Sequence, residues 1–123
     1  MTKRICAIVV KSSVAVPGEI STKLETAIRM GCTGFISGLE YGAGLTAAEA
    51  ILQRKADRPC LTLECVIPYE ECTSAWDEPS RDRYFDIVSR CDKETMLMHQ
   101  YAPDCMARKR EYLLRNSDNT IEI

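Results

Sequence analysis

Five short apolar runs, separated by segments with helical periodicity, constrain the fold of this chain more than any other feature. The first, Ile5-Cys6-Ala7-Ile8-Val9-Val10, is apolar without a break. A strand with one face in water would alternate, so a continuous run predicts burial on both faces. Pro17-Gly18 breaks the chain, after which Ile20, Leu24, Ala27 and Ile28 recur at helical spacing as far as Gly31, a helix stop. Gly34–Ser37 reads as a second strand. Thr46-Ala47-Ala48-Glu49 has the form of a capping box and predicts a helix from there to about Lys55. Cys60–Ile67 reads as a third strand stopped by Pro68, and Pro79-Ser80 opens a helix with Tyr84, Ile87 and Val88 facing inward. Thr95–Met98 follows as a fourth strand. Asp104 then caps a helix carrying Met106, Lys109, Tyr112 and Leu113, and Thr120–Ile123 is a last strand. Strands that alternate with helices predict an α/β, Rossmann-like three-layer domain over residues 1–123. Its sheet is mostly parallel, of about five strands, with helices on both faces.

Charge and cysteine content narrow the partners. A formal net charge of −2 gives no electrostatic footprint for nucleic acid or an anionic membrane surface. Arg108, Lys109, Arg110 and Arg115 do gather, but with Glu111 among them they read as a solvated helix face. No stretch approaches the ~18 apolar residues of a membrane span. Met1–Arg4 and the apolar run after it begin like a signal peptide, yet the run stops at Lys11 without a small-residue cleavage pattern. Neither nucleic acid nor membrane is therefore an expected partner. The seven cysteines are odd in number, contain no C-x-x-C and accompany a single histidine, so no metal site is expected. They read as small apolar residues of a reducing, cytoplasmic compartment.

In open parallel sheets, ligands bind beyond the carboxyl ends of the strands, where strand order reverses. Four segments leave strand ends here: Lys11–Gly18, Ser37–Gly44, Pro68–Pro79 and His99–Asp104. Ser37-Gly38-Leu39-Glu40-Tyr41-Gly42-Ala43-Gly44 carries the most information. Its glycines would let a ligand approach the backbone, and the following helix offers free N–H groups to a phosphate or carboxylate. The spacing is not the dinucleotide fingerprint, so a tight turn that binds nothing is an equal reading. Glu49 is a general base or a ligand contact near that turn, or simply the capping partner of Thr46. Trp76 stacks on a ligand ring, or packs as a lid on the core. His99 has no second ligand or nucleophile in the pattern. No Walker loop, G-x-S-x-G, H-E-x-x-H or kinase signature occurs, and no cofactor is expected.

The segment Phe35-Ile36-Ser37-Gly38, with Gly42 and Ala47-Ala48-Glu49, resembles the F-I-S-G…A-A-E stretch of the YpsA-like branch of the SLOG superfamily. That superfamily is Rossmann-like and related to the DNA-processing protein DprA and the LOG phosphoribohydrolases. The resemblance continues through Leu63–Pro68, Trp76, Arg83–Ile87, Cys91-Asp92, Tyr101, Met106, Tyr112 and Ser117-Asp118. It implies a nucleotide-derived ligand at the glycine turn, beside the ends of the first and fourth strands, and often a homo-oligomer. On that implication Gly38, Gly42 and Glu49 gain weight as ligand residues, with Ser37, Gly44, Pro68 and Trp76 as further candidates. The chain departs from the pattern at Val9–Ser12, where relatives carry T-G-H-R, at Gly44, an aspartate elsewhere, and at Lys109-Arg110 and Arg115. The P-G-G-x-G-T…E motif of LOG enzymes has no counterpart. The expectation is a binding domain with little or no catalysis. A nucleotide N-glycosidase using Glu49 is the first alternative, and a degenerate relative acting through protein contacts the second.

Overall fold

The computed structural model describes residues 4–12, 14 and 16–123; residues 1–3, and part of the Lys11–Gly18 segment, lie outside the described residues. Nine elements alternate: β1 (Arg4–Val9), α1 (Pro17–Arg29), β2 (Cys32–Ser37), α2 (Ala43–Asp57), β3 (Thr62–Tyr69), α3 (Glu78–Arg90), β4 (Lys93–Met98), α4 (Cys105–Arg115) and β5 (Asn119–Glu122). The strands form one sheet in the order β4-β3-β2-β1-β5, and every neighbouring pair is parallel. The expected α/β, Rossmann-like three-layer architecture is what the chain adopts.

Side-chain alternation along the strands divides the core in two. Cys6 and Ile8 of β1, Phe35 of β2, and Leu63, Cys65 and Ile67 of β3 join Ile20 and Leu24 of α1, Ala47, Ala48 and Ile51 of α2, and Tyr84 and Ile87 of α3. The intervening residues, Ala7, Ile36 and Val66, meet Leu113 of α4, flanked by Ile5, Leu97 and Tyr112. Among the described residues, three helices therefore cover one face and α4 alone covers the other. Beside Leu113, the Tyr112 hydroxyl donates to Glu64 Oε2 at 2.6 Å, and Thr95 Oγ1 donates to the same oxygen at 2.7 Å. This hydrogen-bonding holds the Tyr112 hydroxyl above its ordinary pKa, with the Glu64 carboxylate the main cause and burial the second.

Element boundaries differ from the expectation in ways that matter for the site. Helix α2 begins at Ala43 with Gly42 as its N-cap, so Thr46 is not a cap and the T-x-x-E box does not form. Strand β3 runs through Pro68 to Tyr69 instead of stopping before it. Ser37, the last residue of β2, stands opposite Cys65, so Pro68 lies beyond that ladder, where its missing N–H costs nothing on the β2 side. Asp104 sits at the N-cap of α4 but makes no cap bond; its carboxylate accepts from Arg108 Nε at 2.7 Å. Lys109 is the clearest departure from a solvated helix face. It is 6% exposed, on the same stripe of α4 as buried Cys105 and Leu113. Among the described residues no helix is long and apolar enough to cross a membrane.

Candidate functional site

The link from β2 to α2 is shaped by backbone chemistry. Ser37, fully buried at the end of β2, accepts the Leu39 N–H on its Oγ at 3.1 Å. That bond steadies Leu39 in the left-handed region, at φ 52°, which is costly for a branched side chain. Burial of Leu39 in the main core offsets the strain. Gly42 follows at φ 77°, ψ −106°, a conformation that a Cβ would oppose. The chain then enters α2, with Leu45 N–H donating to the Glu40 carbonyl and Thr46 N–H to the Gly42 carbonyl, both at 3.1 Å.

Glu40 folds back under this turn. A Cβ on Gly38 would stand 2.5 Å from Glu40 Oε1 and 3.0 Å from both Cδ and Cε of Lys109. A Cβ on Gly44 would stand 3.0 Å from Glu40 Cβ and 3.3 Å from Oε2. Both glycines thus leave room for one carboxylate. Glu40 Oε1 lies 3.5 Å from Lys109 Nζ, while Oε2 is buried and has no hydrogen-bond partner among the described residues.

Next to this ion pair is a cavity of about 250 Å³ at the carboxyl ends of β2 and β3. Gly38, Tyr41, Pro68, Trp76, Met106 and Lys109 are among its walls. Trp76 meets Tyr41 edge to face at a centroid distance of 5.4 Å and Tyr84 likewise at 5.6 Å. Tyr41 also donates its hydroxyl to Asp77 Oδ1 at 2.7 Å, and Asp77 Oδ2 caps α3 by accepting the Ser80 N–H at 3.0 Å. The glycine turn and the start of α3 are therefore tied through one carboxylate. Those bonds, Tyr41 first and then Ser80, hold Asp77 below the usual carboxylate range.

The cavity offers apolar and aromatic walls with one buried cation, a chemistry suited to a flat ring carrying a charged group. Larger grooves run between α1 and β5, about 520 Å³, and between α1 and α2, about 840 Å³. The first of these takes its lining from α1 and the two edge-side strands, away from the glycine turn. Among the described residues no three His, Cys, Asp or Glu side chains gather as metal ligands.

The family model described as the YspA SLOG family (YpsA) matches residues 12–123. The chain belongs to that family. A UPF0398 protein of Halalkalibacterium halodurans is 31% identical over 96 residues, covering 76% of this chain and 51% of that relative. The UPF0398 protein YpsA of Bacillus subtilis is 28% identical over 88 residues, 70% of this chain and 48% of its own length. A UPF0398 protein of Levilactobacillus brevis is 28% identical over 95 residues, 76% and 50% respectively. The chain thus spans about half the length of these curated relatives.

Within this YpsA-family chain, three of the residues singled out in the sequence, Gly38, Pro68 and Trp76, line one cavity. Ser37, Gly42 and Gly44 shape the turn behind it without lining it. Glu49 goes elsewhere. Arg83 of α3 clasps it, with Nη2 to Oε1 at 2.6 Å and Nε to the two oxygens at 3.2 and 3.1 Å, and Arg83 Nη2 also reaches Thr46 Oγ1 at 3.3 Å. The carboxylate raises the Arg83 pKa further and ties α2 to α3. The cavity lies at the carboxyl ends of β2 and β3, whose outer neighbours in the sheet are β1 and β4, and strand order reverses at β1, one strand away. His99 lines an adjoining surface hollow with Glu70, Glu71 and Tyr101. Two site residues, Glu40 and Lys109, were not singled out as such. The signal for Lys109 was its four-residue spacing from Cys105 and Leu113, hidden within a run of basic residues.

Proposed function

We propose that this chain is a nucleotide-binding domain with little or no catalysis, and that its ligand seats a heteroaromatic ring in the glycine-turn cavity. The observation that carries the reading is the convergence of Gly38, Pro68 and Trp76 on one aromatic-walled cavity with a buried lysine. A nucleotide meets both demands, a flat ring for Trp76 and Tyr41 and an anion for Lys109. The glycosidase alternative gains no support from Glu49, whose two oxygens are engaged by Arg83. The cellular setting we infer is cytoplasmic, in keeping with seven unpaired cysteines. A homo-oligomer is expected from the family resemblance, and light scattering on the purified protein would reveal it.

Calorimetric titration with a panel of nucleoside monophosphates tests the reading directly. The expected result is saturable binding by the parent, reduced at least tenfold in Trp76→Ala, roughly the worth of one base-stacking contact. No binding at millimolar ligand, or affinity untouched in a folded Trp76→Ala variant, would place the function elsewhere.

A further inference from the structure

The seat beneath the glycine turn already holds an anion, and that anion belongs to the protein. Glu40 extends its carboxylate into the space left by Gly38 and Gly44, against a lysine side chain that is only 7% exposed. Lys109 has no other ion-pair partner among the described residues. The pairing is incomplete: Nζ to Oε1 is 3.5 Å, and Oε2 is buried without a hydrogen-bond partner among the described residues. A buried ion pair is favourable only when geometry is close and the remaining lone pairs are satisfied. Here neither condition holds, so another anion with better geometry can compete for the lysine. The cavity that would admit such an anion is walled by Lys109 and Glu40 themselves.

We infer that Glu40 is an internal stand-in for the ligand's phosphate. A phosphate-bearing ligand takes Lys109 from Glu40 and turns the carboxylate out of the seat, whereas a neutral nucleoside leaves the pair in place. Glu40 is therefore a specificity-determining residue that weakens every phosphate-bearing ligand by the work of its own displacement. The inference rests on the nucleotide-binding reading above and deepens it.

Adenosine 5′-monophosphate and adenosine serve as probes, titrated calorimetrically into the parent, Glu40→Gln and Glu40→Gln/Lys109→Met, each checked for folding by its melting curve. The Gln variant keeps the shape of Glu40 and removes its charge. The expected result is monophosphate binding roughly tenfold tighter in Glu40→Gln than in the parent, the scale of one charge-assisted contact. Adenosine affinity stays unchanged, and the gain disappears in the double variant. In the parent itself, the monophosphate but not adenosine shifts the Glu40 carboxyl carbon resonance, a readout that needs no variant. If the parent binds the monophosphate and Glu40→Gln binds it no tighter, the stand-in role is refuted while nucleotide binding survives. A gain that persists in the double variant refutes Lys109 as the receiving cation. Failure of all three folded proteins to bind either probe overturns the nucleotide reading and this inference together.

Discussion

Truncating Leu113 to alanine tests whether one helix holds both the second face of the sheet and the site's cation. Leu113 is 4% exposed and packs on Ala7, Ile36 and Val66, all nearly inaccessible. Measured Leu→Ala losses in packed cores run from about 2.7 to 5.0 kcal/mol, the low end where surroundings can collapse into the space. A single helix over a sheet can settle inward, so a loss of about 3 kcal/mol is expected. That corresponds to a melting temperature lower by roughly 10–15 °C for a chain of this size. Urea denaturation followed by circular dichroism gives the number, with exposed Leu114→Ala as the control, expected to change stability by about 0.5 kcal/mol or less. Native-state hydrogen exchange adds the local test: amides of α4 should lose protection before those of α1 to α3. A loss below about 1 kcal/mol, or one equal to the Leu114 control, would show that α4 is not held by this contact.

Three further outcomes follow from the site. Glu49→Gln is expected to change stability by no more than about 1 kcal/mol, because both it and Arg83 are 39% exposed and solvent screens the pair. In the same preparations no free base should be released from nucleoside monophosphates; release by the parent that the glutamine variant abolishes would establish the glycosidase. Gly42→Val is expected to fold, at a strain of about 1–3 kcal/mol, and to bind no monophosphate by calorimetry, since valine resists a positive φ. Asp77 is held below its usual range, so its contribution to stability is present above the ordinary aspartate pKa of about 3.9 and is lost as pH falls through its lowered value. Asp77→Asn, which still caps α3, should therefore show a shallower decline in melting temperature below about pH 4 than the parent does; identical declines would remove Asp77 from the acid response.

The strands were legible because continuous apolar runs such as Ile5–Val10 can be satisfied only in a sheet covered on both faces. Gly42 was legible as well, since its φ of 77° is open to glycine at little cost. The capping box misled for a physical reason. Gly42 starts α2 by backbone geometry alone, one turn earlier, and the same three-residue spacing that makes a box places Thr46 and Glu49 side by side for Arg83. Local pattern cannot distinguish these two uses. Lys109 was obscured by its neighbours Arg108 and Arg110, which do face solvent. Nor does local pattern order the strands. The placement of β5 beside β1 is a long-range pairing, and it decides that the reversal of strand order and the glycine turn fall on different strands.

Trp76 is the sole tryptophan of the chain. Its indole sits between two tyrosines, edge to face with each, and forms part of the wall of the cavity. The protein therefore carries its own optical probe. Energy absorbed by the five tyrosines of the chain passes to the indole, most readily from Tyr41 and Tyr84 at less than 6 Å, so tyrosine-excited emission reports whether the domain remains assembled. Direct excitation of the indole reports what enters the cavity. One side chain thus separates assembly of the domain from occupancy of its site, without a label and in a single cuvette.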